Sequence, residues 1–142
     1  MGKLTDKQLY TMAKKAAKKS YSPYSKFPVG AAVATKKGHV YIGANVENVS
    51  YGLTICAERV AICNALLGGE KDIIAIAVYS GEKDISPCGA CRQFILEFGE
   101  NIRVVYKNND ILISDPISLL IPASFSKEAL EKHGQLWGRC FY

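Results

Sequence analysis

The run Ile73-Ile-Ala-Ile-Ala-Val-Tyr79 decides the fold class of this chain. It is apolar throughout and rich in β-branched residues, which is typical of a strand buried on both faces of a sheet with parallel neighbours. Upstream, residues 29–35 and 40–46 flank the turn 36–39 and predict a β-hairpin. Between this hairpin and the apolar run, residues 56–67 repeat apolar side chains at helical spacing and end at Gly68-Gly69, so they predict a helix.

Helices and strands continue to alternate along the rest of the chain. Helices are predicted over residues 91–98 and near 127–133, and strands over 102–106 and 111–114. A first helix is predicted from Thr5, a candidate N-cap with Gln8 completing a capping box, to about residue 19. This order predicts an α/β fold, a three-layer α-β-α sandwich around a mixed sheet of about five strands. We expect one domain over residues 1–142.

Composition and charge exclude several classes of protein. The chain has 142 residues, 49% hydrophobic and 22% charged, which excludes a disordered or collagen-like chain. No apolar run approaches the roughly 20 residues of a membrane-spanning helix, so no membrane partner is expected. The net charge of +5 owes much to four lysines, which predict a solvated helix face rather than a nucleic-acid site: Lys14, Lys15, Lys18 and Lys19. The first residues form no apolar leader and the five cysteines suit a reducing compartment, so we expect a cytoplasmic location.

Three cysteines stand where helices are predicted to begin. Cys56 opens the sequence Cys56-Ala57-Glu58, and Cys88 and Cys91 lie in Pro87-Cys88-Gly89-Ala90-Cys91. The free N–H groups at a helix start favour thiolate over thiol. If the two helices run side by side from neighbouring strands, the three thiolates converge on one point and can bind one metal ion. Three protein ligands suit a catalytic zinc, which keeps its fourth position for water. Cys63 is expected to be a small buried hydrophobe, and Cys140 is left unassigned.

Glu58 and Arg59 add chemistry to this metal site. A carboxylate beside an open zinc position can take a proton from water and pass it on, which makes Glu58 the candidate catalytic residue. Three thiolates and Zn²⁺ sum to −1, and Arg59 is placed to compensate thiolate charge, with Arg92 as a second candidate. Two other interpretations remain at this point: Glu58 as an ordinary first-turn residue favoured by the helix dipole, and Cys-x-x-Cys as a redox pair.

The two cysteine motifs together match the zinc deaminase signature, in which Cys-x-Glu is followed by Pro-Cys-x-x-Cys. Over nearly its whole length the chain resembles the small homotetrameric cytidine deaminases. The matching stretches are Tyr24-Ser-Lys-Phe-Pro-Val-Gly-Ala-Ala32, Asn45-Val-Glu-Asn48, Cys56-Ala-Glu-Arg59, Pro87-Cys-Gly-Ala-Cys-Arg-Gln93 and Leu120-Ile-Pro-Ala-Ser-Phe125. The tail 131–142, with Trp137, Phe141 and Tyr142, departs from the family's outline.

The resemblance implies a reaction and a cofactor. It implies one Zn²⁺ per subunit and hydrolytic deamination of cytidine and deoxycytidine to uridine and deoxyuridine, in pyrimidine salvage. In that reaction zinc-bound hydroxide attacks C4 of the base, and Glu58 carries protons to N3 and to the departing amine.

The resemblance also implies how a nucleoside is held and how subunits assemble. Asn45 and Glu47 would bind the ribose, chiefly its 3′-hydroxyl, and Phe27 would pack beside the nucleoside. The backbone at Ala57 would meet the polar edge of the base. Phe125 would reach the base from a neighbouring subunit of a homotetramer.

Three other functions compete with the nucleoside deaminase. A nucleic-acid editor resembling tRNA adenosine deaminases usually has His-Ala-Glu, whereas this chain has Cys56, and the Glu47 carboxylate would repel a 3′-phosphodiester, so no nucleic-acid partner is expected. A deaminase of another cytosine-containing small molecule shares Cys-Ala-Glu. A non-catalytic zinc-binding module would need four protein ligands and no Glu58.

Overall fold

The computed structural model of this chain describes residues 4–81 and 84–130. Five strands form one sheet in the order β2-β1-β3-β4-β5, and β3 and β4 pair in parallel while the other pairs are antiparallel. The elements in chain order are α1 (Asp6–Ala17), β1 (Gly30–Thr35), β2 (Val40–Ala44), a 3₁₀ turn (Tyr51–Leu53), α2 (Ala57–Leu67), β3 (Ile73–Tyr79), α3 (Gly89–Leu96), β4 (Arg103–Asn108), β5 (Ile111–Pro116) and α4 (Ile117–Leu120). The predicted mixed, five-stranded sheet is confirmed.

Helices cover both faces of the sheet, which confirms the three layers. On one face, α1 buries Leu9, Ala13 and Ala17 against alanines of β1 and β3. On the other face, α2 and α3 bury the larger core, which includes Ile62 and Ile95. Alternate side chains of β1 and β3 enter the two cores, so these central strands are apolar on both faces.

Two glycines allow the helices to approach the sheet closely. A Cβ atom on Gly30 would lie 2.1 Å from the Ala13 carbonyl oxygen of α1, and one on Gly43 would lie 2.3 Å from the Ala61 nitrogen of α2. Both neighbours are backbone atoms of a packed helix, so neither can yield by a side-chain rotation. Glycine at these positions therefore sets the distance between each helix layer and the sheet.

The element boundaries differ from the prediction mostly at helix ends. Helix α1 has the predicted capping box between Thr5 and Gln8, but it ends at Ala17 rather than near residue 19. The helix predicted over 91–98 begins at Gly89 with Cys88 as its N-cap, and α4 was not predicted. Residues 127–130 are helical, and the remainder of the helix predicted near 127–133 lies outside the described residues, as do the tail 131–142 and Cys140.

Cys63 is exposed, so the prediction of a buried residue was wrong. Helix α2 turns Ala61, Ile62 and Ala65 toward the sheet, and the 100° between successive residues carries Cys63 to the outer face. The residue type of Cys63 alone did not reveal which face of α2 this side chain occupies.

None of the described helices has the length and apolar character needed to cross a membrane.

Candidate metal centre and active site

Three thiols meet where α2 and α3 begin. Cys56 is the N-cap of α2, Cys88 is the N-cap of α3, and Cys91 lies in the first turn of α3. Their sulfur atoms all lie within 4.8 Å of one another, and the Cys56 and Cys88 sulfurs are 3.9 Å apart. Neither N-cap side chain bonds to the backbone of its own helix, so both sulfurs remain available to a ligand. Within residues 4–81 and 84–130, this is the group of metal-ligating side chains that can hold one ion.

The electrostatics of the three thiols favour ionisation at Cys56. A hydrogen bond from the Cys91 thiol and a further one from Arg59 lower the pKa of Cys56 to about 5, and the same thiol contact raises the pKa of Cys91. Arg59 Nη2 lies 3.6 Å from the Cys56 sulfur and donates to the Thr54 carbonyl at 3.3 Å. The guanidinium therefore lies against the cluster, where positive charge opposes that of the thiolates.

Glu58 is the buried carboxylate of the site. It occupies the first turn of α2, is 4% exposed, and lines the same cavity as Cys56 and Cys88. Burial, with a smaller contribution from the negative charge at Cys56, raises the pKa of Glu58 to about 7. A carboxyl group whose pKa is near neutral can both accept and donate a proton at ordinary pH, which is the requirement for a proton carrier.

A cavity of about 350 Å³ adjoins the thiols, within the roughly 300–1,000 Å³ of small-molecule sites. It is largely apolar with a few polar groups, and it is lined by Ser25, Phe27, Val29, Asn45, Glu47, Thr54, Cys56, Ala57, Glu58, Ile85, Ser86 and Cys88. A larger cavity of about 800 Å³ is lined by residues from the start of α1, the end of β1 and the start of β4, and none of them is a cysteine. The smaller cavity is therefore the candidate active site.

Asn45 and Glu47 line this cavity directly after β2, and both are buried. Asn45 Oδ1 accepts from the Val29 nitrogen at 2.8 Å and from the Ser20 hydroxyl at 2.5 Å, while Asn45 Nδ2 donates to the Phe27 carbonyl at 3.0 Å. These contacts hold the loop that carries Phe27 against the end of β2. The amide thus orders the cavity wall as well as facing it.

Glu47 is held by the same loop. Its Oε2 atom accepts from the Tyr24 and Ser25 nitrogens at 2.9 and 3.2 Å, and its Oε1 atom accepts from the Ser25 hydroxyl. The hydrogen bond from that hydroxyl is the main reason that the pKa of Glu47 is lowered. Glu47 is therefore an ionised, oriented acceptor at neutral pH.

Ser25 is a site residue that the sequence analysis missed. Besides donating to Glu47, its hydroxyl accepts from the Phe27 nitrogen at 3.1 Å, and its side chain lines the cavity. The available signal was its place in the matched stretch that begins at Tyr24, two residues before Phe27.

The remaining predicted residues divide into two groups. Phe27 and Ala57 line the cavity. Phe125 does not line it and is 60% exposed, with its carbonyl accepting from Gln93 Nε2 at 2.9 Å. A single chain therefore brings together every predicted site residue except Phe125, which is exposed and is not part of the cavity lining.

The sequence of the chain is similar to those of known proteins. The family model for the cytidine and deoxycytidylate deaminase zinc-binding region matches residues 3–108. The chain is 44% identical over 126 residues to a cytidine deaminase of Sporosarcina psychrophila, covering 87% of this chain and 93% of that protein. It is 47% identical over 113 residues to a probable cytidine deaminase of Dictyostelium discoideum, covering 78% and 77% of the two chains.

Solved structures extend the agreement to the fold. The crystal structure of a cytidine deaminase from Burkholderia pseudomallei superimposes with a TM-score of 0.81 at 43% identity, covering 86% of this chain and all of that one. The matched stretch of the family model contains all three thiols and Glu58. The chain therefore belongs to the cytidine and deoxycytidylate deaminase family.

Proposed function

We propose that this protein hydrolyses cytidine and deoxycytidine to uridine and deoxyuridine, with release of ammonia, in pyrimidine salvage. The observation that carries the proposal is one cavity with two kinds of lining. Cys56, Cys88 and the buried Glu58 supply metal-binding and proton-transfer groups, and Asn45 and Glu47 supply hydrogen bonds for hydroxyl groups. A nucleoside fits both kinds of lining, because its polar base can meet the metal-binding and proton-transfer groups while its sugar hydroxyls meet Asn45 and Glu47.

The thiols fit zinc. Tetrahedral bonds of about 2.3 Å separate two sulfur ligands by roughly 3.8 Å, and the Cys56 and Cys88 sulfurs are 3.9 Å apart. Cys56, Cys88 and Cys91 would hold the ion, which when bound supplies a Lewis acid with one open position and lowers the pKa of water. Arg59 would offset part of the negative charge of three thiolates, because its guanidinium already contacts the Cys56 sulfur.

Glu58 is the proposed catalytic residue. Its carboxylate takes a proton from the attacking water and delivers it to N3 of the pyrimidine, and it later supplies a proton to the amine that leaves C4. Between the two steps the Glu58 carboxylate accepts the proton of the hydroxyl group newly bonded to C4, and this is the proton that it passes to the leaving amine as the C4 carbonyl forms and the C4–N bond breaks. The raised pKa of Glu58, about 7, suits this alternation.

Asn45, Glu47, Phe27 and Ala57 are the proposed substrate contacts within one chain. Asn45 and Glu47 hold the ribose through its 3′-hydroxyl, Phe27 packs beside the nucleoside, and the backbone at Ala57 meets the base. The ionised Glu47 would repel a 3′-phosphodiester, which favours free nucleosides over nucleic acid.

We also propose a cytoplasmic homotetramer with active sites shared between subunits. Phe125 is 60% exposed and does not line the cavity of its own chain, so its ring is free to enter the site of a second copy. Large apolar side chains of the segment after Glu47 are also exposed, among them Val49, Tyr51 and Leu53. Three large apolar side chains exposed within five residues of sequence make this segment a candidate subunit interface. The four described cysteines are free thiols, which suits a reducing cytoplasm.

Ultraviolet absorbance tests the substrate assignment directly. Zinc-loaded protein mixed with cytidine or deoxycytidine should lose the absorbance of the cytosine ring, whereas 5′-CMP, cytosine and a single-stranded oligonucleotide should react far more slowly. Turnover of the oligonucleotide at the rate of cytidine would refute the proposal, and so would turnover confined to another cytosine-containing small molecule.

Glu58→Gln tests the mechanism. The variant should keep one zinc per chain and lose deamination by at least the roughly 10²–10⁴-fold that acid–base catalysis contributes. A variant with full activity would refute the role of Glu58. Equal loss of zinc and activity would instead make Glu58 a structural residue of the metal site.

A further inference from the structure

Arg92 follows the zinc-binding residue Cys91, but its guanidinium does not contact sulfur. Nε donates to the Pro87 carbonyl at 2.8 Å, Nη1 donates to the Leu120 carbonyl at 2.7 Å, and Nη2 donates to the Ser86 hydroxyl at 3.0 Å. Among the described residues no carboxylate forms an ion pair with it. A half-buried cation is therefore held by three neutral acceptors.

These acceptors belong to two segments that are far apart in sequence. Ser86 and Pro87 lie immediately before Cys88, and the Pro87 carbonyl is part of the peptide bond that leads into this cysteine. Leu120 is the last residue of α4, from which the chain continues to Phe125. The next residue of α3, Gln93, holds the other end of that continuation through the Phe125 carbonyl at 2.9 Å.

We propose that Arg92 is a positioning residue that fixes the peptide before Cys88 and the segment 120–125 in one arrangement. Zinc retention and the placement of Phe125 then depend on the same side chain. The inference rests on the proposed function, in which Cys88 binds zinc and Phe125 contacts a nucleoside in a neighbouring subunit. It assigns Arg92 a different task from Arg59, whose guanidinium contacts the sulfur itself.

The geometry explains why the residue is arginine. A planar guanidinium presents its donors in a fixed fork, so three donors can meet three acceptors that lie in different directions. A lysine ammonium is a single point at the end of a flexible stem, and it cannot contact both the Pro87 and the Leu120 carbonyls in the same way. Charge alone would be preserved by lysine, whereas the fork would be lost.

Three variants and a control distinguish a role of the Arg92 charge from a role of its fixed set of donors. Arg92→Gln removes both charge and fork, Arg92→Lys keeps only the charge, and Gln93→Met removes only the contact to Phe125. The control is Arg103→Gln, which removes an arginine paired with Asp6 at 3.3 Å at the start of β4. Each protein is loaded with zinc, and release to a chromophoric chelator is followed at neutral pH. The absorption spectrum of the Co²⁺-substituted form and the kcat and KM for cytidine are measured alongside.

Arg92→Gln and Arg92→Lys should both release zinc about 10–100-fold faster, as is usual when a residue that orients metal ligands is removed. Both should alter the thiolate-to-cobalt bands and raise KM for cytidine. Gln93→Met should raise KM with zinc release unchanged, and Arg103→Gln should match wild type. Should Arg92→Gln fail to fold, Arg92→Lys carries the test.

Other outcomes overturn the proposal. Wild-type zinc release by Arg92→Lys would show that charge suffices, and equally fast release by Arg103→Gln would reduce the effect to general destabilisation. Zinc release and the cobalt spectrum need no substrate. A wild-type protein that holds zinc but does not deaminate cytidine would therefore refute the proposed function while the metal half of this test still stands.

Discussion

Substitution of Gly43 by alanine tests whether the spacing between sheet and helix sets the geometry of the active site. Gly43 lies in β2, beneath the first turns of α2. A Cβ atom there would lie 2.3 Å from the Ala61 nitrogen and 2.6 Å from the Ala57 oxygen, whereas ordinary van der Waals contact begins at 3.4 Å. Because both neighbours are backbone atoms, α2 has to move away from the sheet by about 1 Å.

The displacement falls on the end of α2 that carries the site. Cys56 and Glu58 flank Ala57, so a shift of the helix alters one zinc ligand and the proposed catalytic carboxylate together. Overpacking of this kind typically costs about 1–3 kcal/mol of folding free energy, which lowers Tm by roughly 3–12 °C in a chain of this size. Misplacement of reacting groups by about 1 Å can reduce the rate on the order of 100-fold.

A matched glycine variant shows whether the loss is local. Gly30→Ala adds the same atom 2.1 Å from the Ala13 oxygen of α1, on the opposite face of the sheet. Thermal unfolding by circular dichroism, zinc release and kcat/KM for cytidine are compared. Gly43→Ala should lose stability, zinc and activity, and Gly30→Ala chiefly stability. Wild-type Tm and zinc release in Gly43→Ala would refute this reasoning.

Further predictions concern pH, packing, metal and assembly. Hydrogen bonds from His39 and, to a smaller extent, from Lys37 lower the pKa of Glu70. The ionised Glu70 therefore stabilises the fold above its ordinary pKa of 4.5, and this stabilisation is lost as the pH falls through the lowered pKa of the folded state. Glu70→Gln should make Tm depend less on pH in the acid range, and an unchanged dependence would contradict this prediction. Ile62 is fully buried, so Ile62→Ala should lower the free energy of unfolding in urea by about 2–5 kcal/mol. A loss below about 1 kcal/mol would show that neighbouring core side chains fill the cavity left by the substitution. Removing zinc with a chelator should abolish deamination and lower Tm, both restored by Zn²⁺ but not by Mg²⁺; activity that survives removal would exclude the metal mechanism. Leu53→Lys should shift the mass measured by light scattering from a tetramer to smaller species, whereas an unshifted mass would place the interface elsewhere.

The features predicted correctly from the sequence are those that depend on local chemistry. Ile73–Tyr79 forms a strand with the predicted limits, because every position in the run is apolar and the run is bounded by the polar residues Asp72 and Ser80. The three cysteines come together because each lies at or just inside a helix start, and the two helices begin at the same edge of the sheet. Local pattern and residue type were sufficient for the strand and for the two helix starts, whereas the meeting of the three sulfurs also depends on the placement of α2 beside α3.

The features that were missed depend on partners distant in sequence or on helix orientation. Arg92 bonds to the Leu120 carbonyl, 28 residues away, and backbone carbonyls leave no trace in an amino-acid pattern. Cys63 has the composition of a core residue, but its exposure depends on which face of α2 meets the sheet. Four-residue α4 has too few residues for a helical period to be visible.

The hydrogen-bond capacity left at Asn45 and Glu47 argues for indifference to the 2′-hydroxyl. A carboxylate offers about four acceptor positions, and three of those on Glu47 are taken by the Tyr24 nitrogen and by the nitrogen and hydroxyl of Ser25. Both acceptor positions of Asn45 Oδ1 and one N–H of its amide are also used within the described chain. One acceptor and one donor remain, which together satisfy a single hydroxyl group. A sugar held through its 3′-hydroxyl uses both, so within one chain this pair has nothing left to distinguish ribose from deoxyribose.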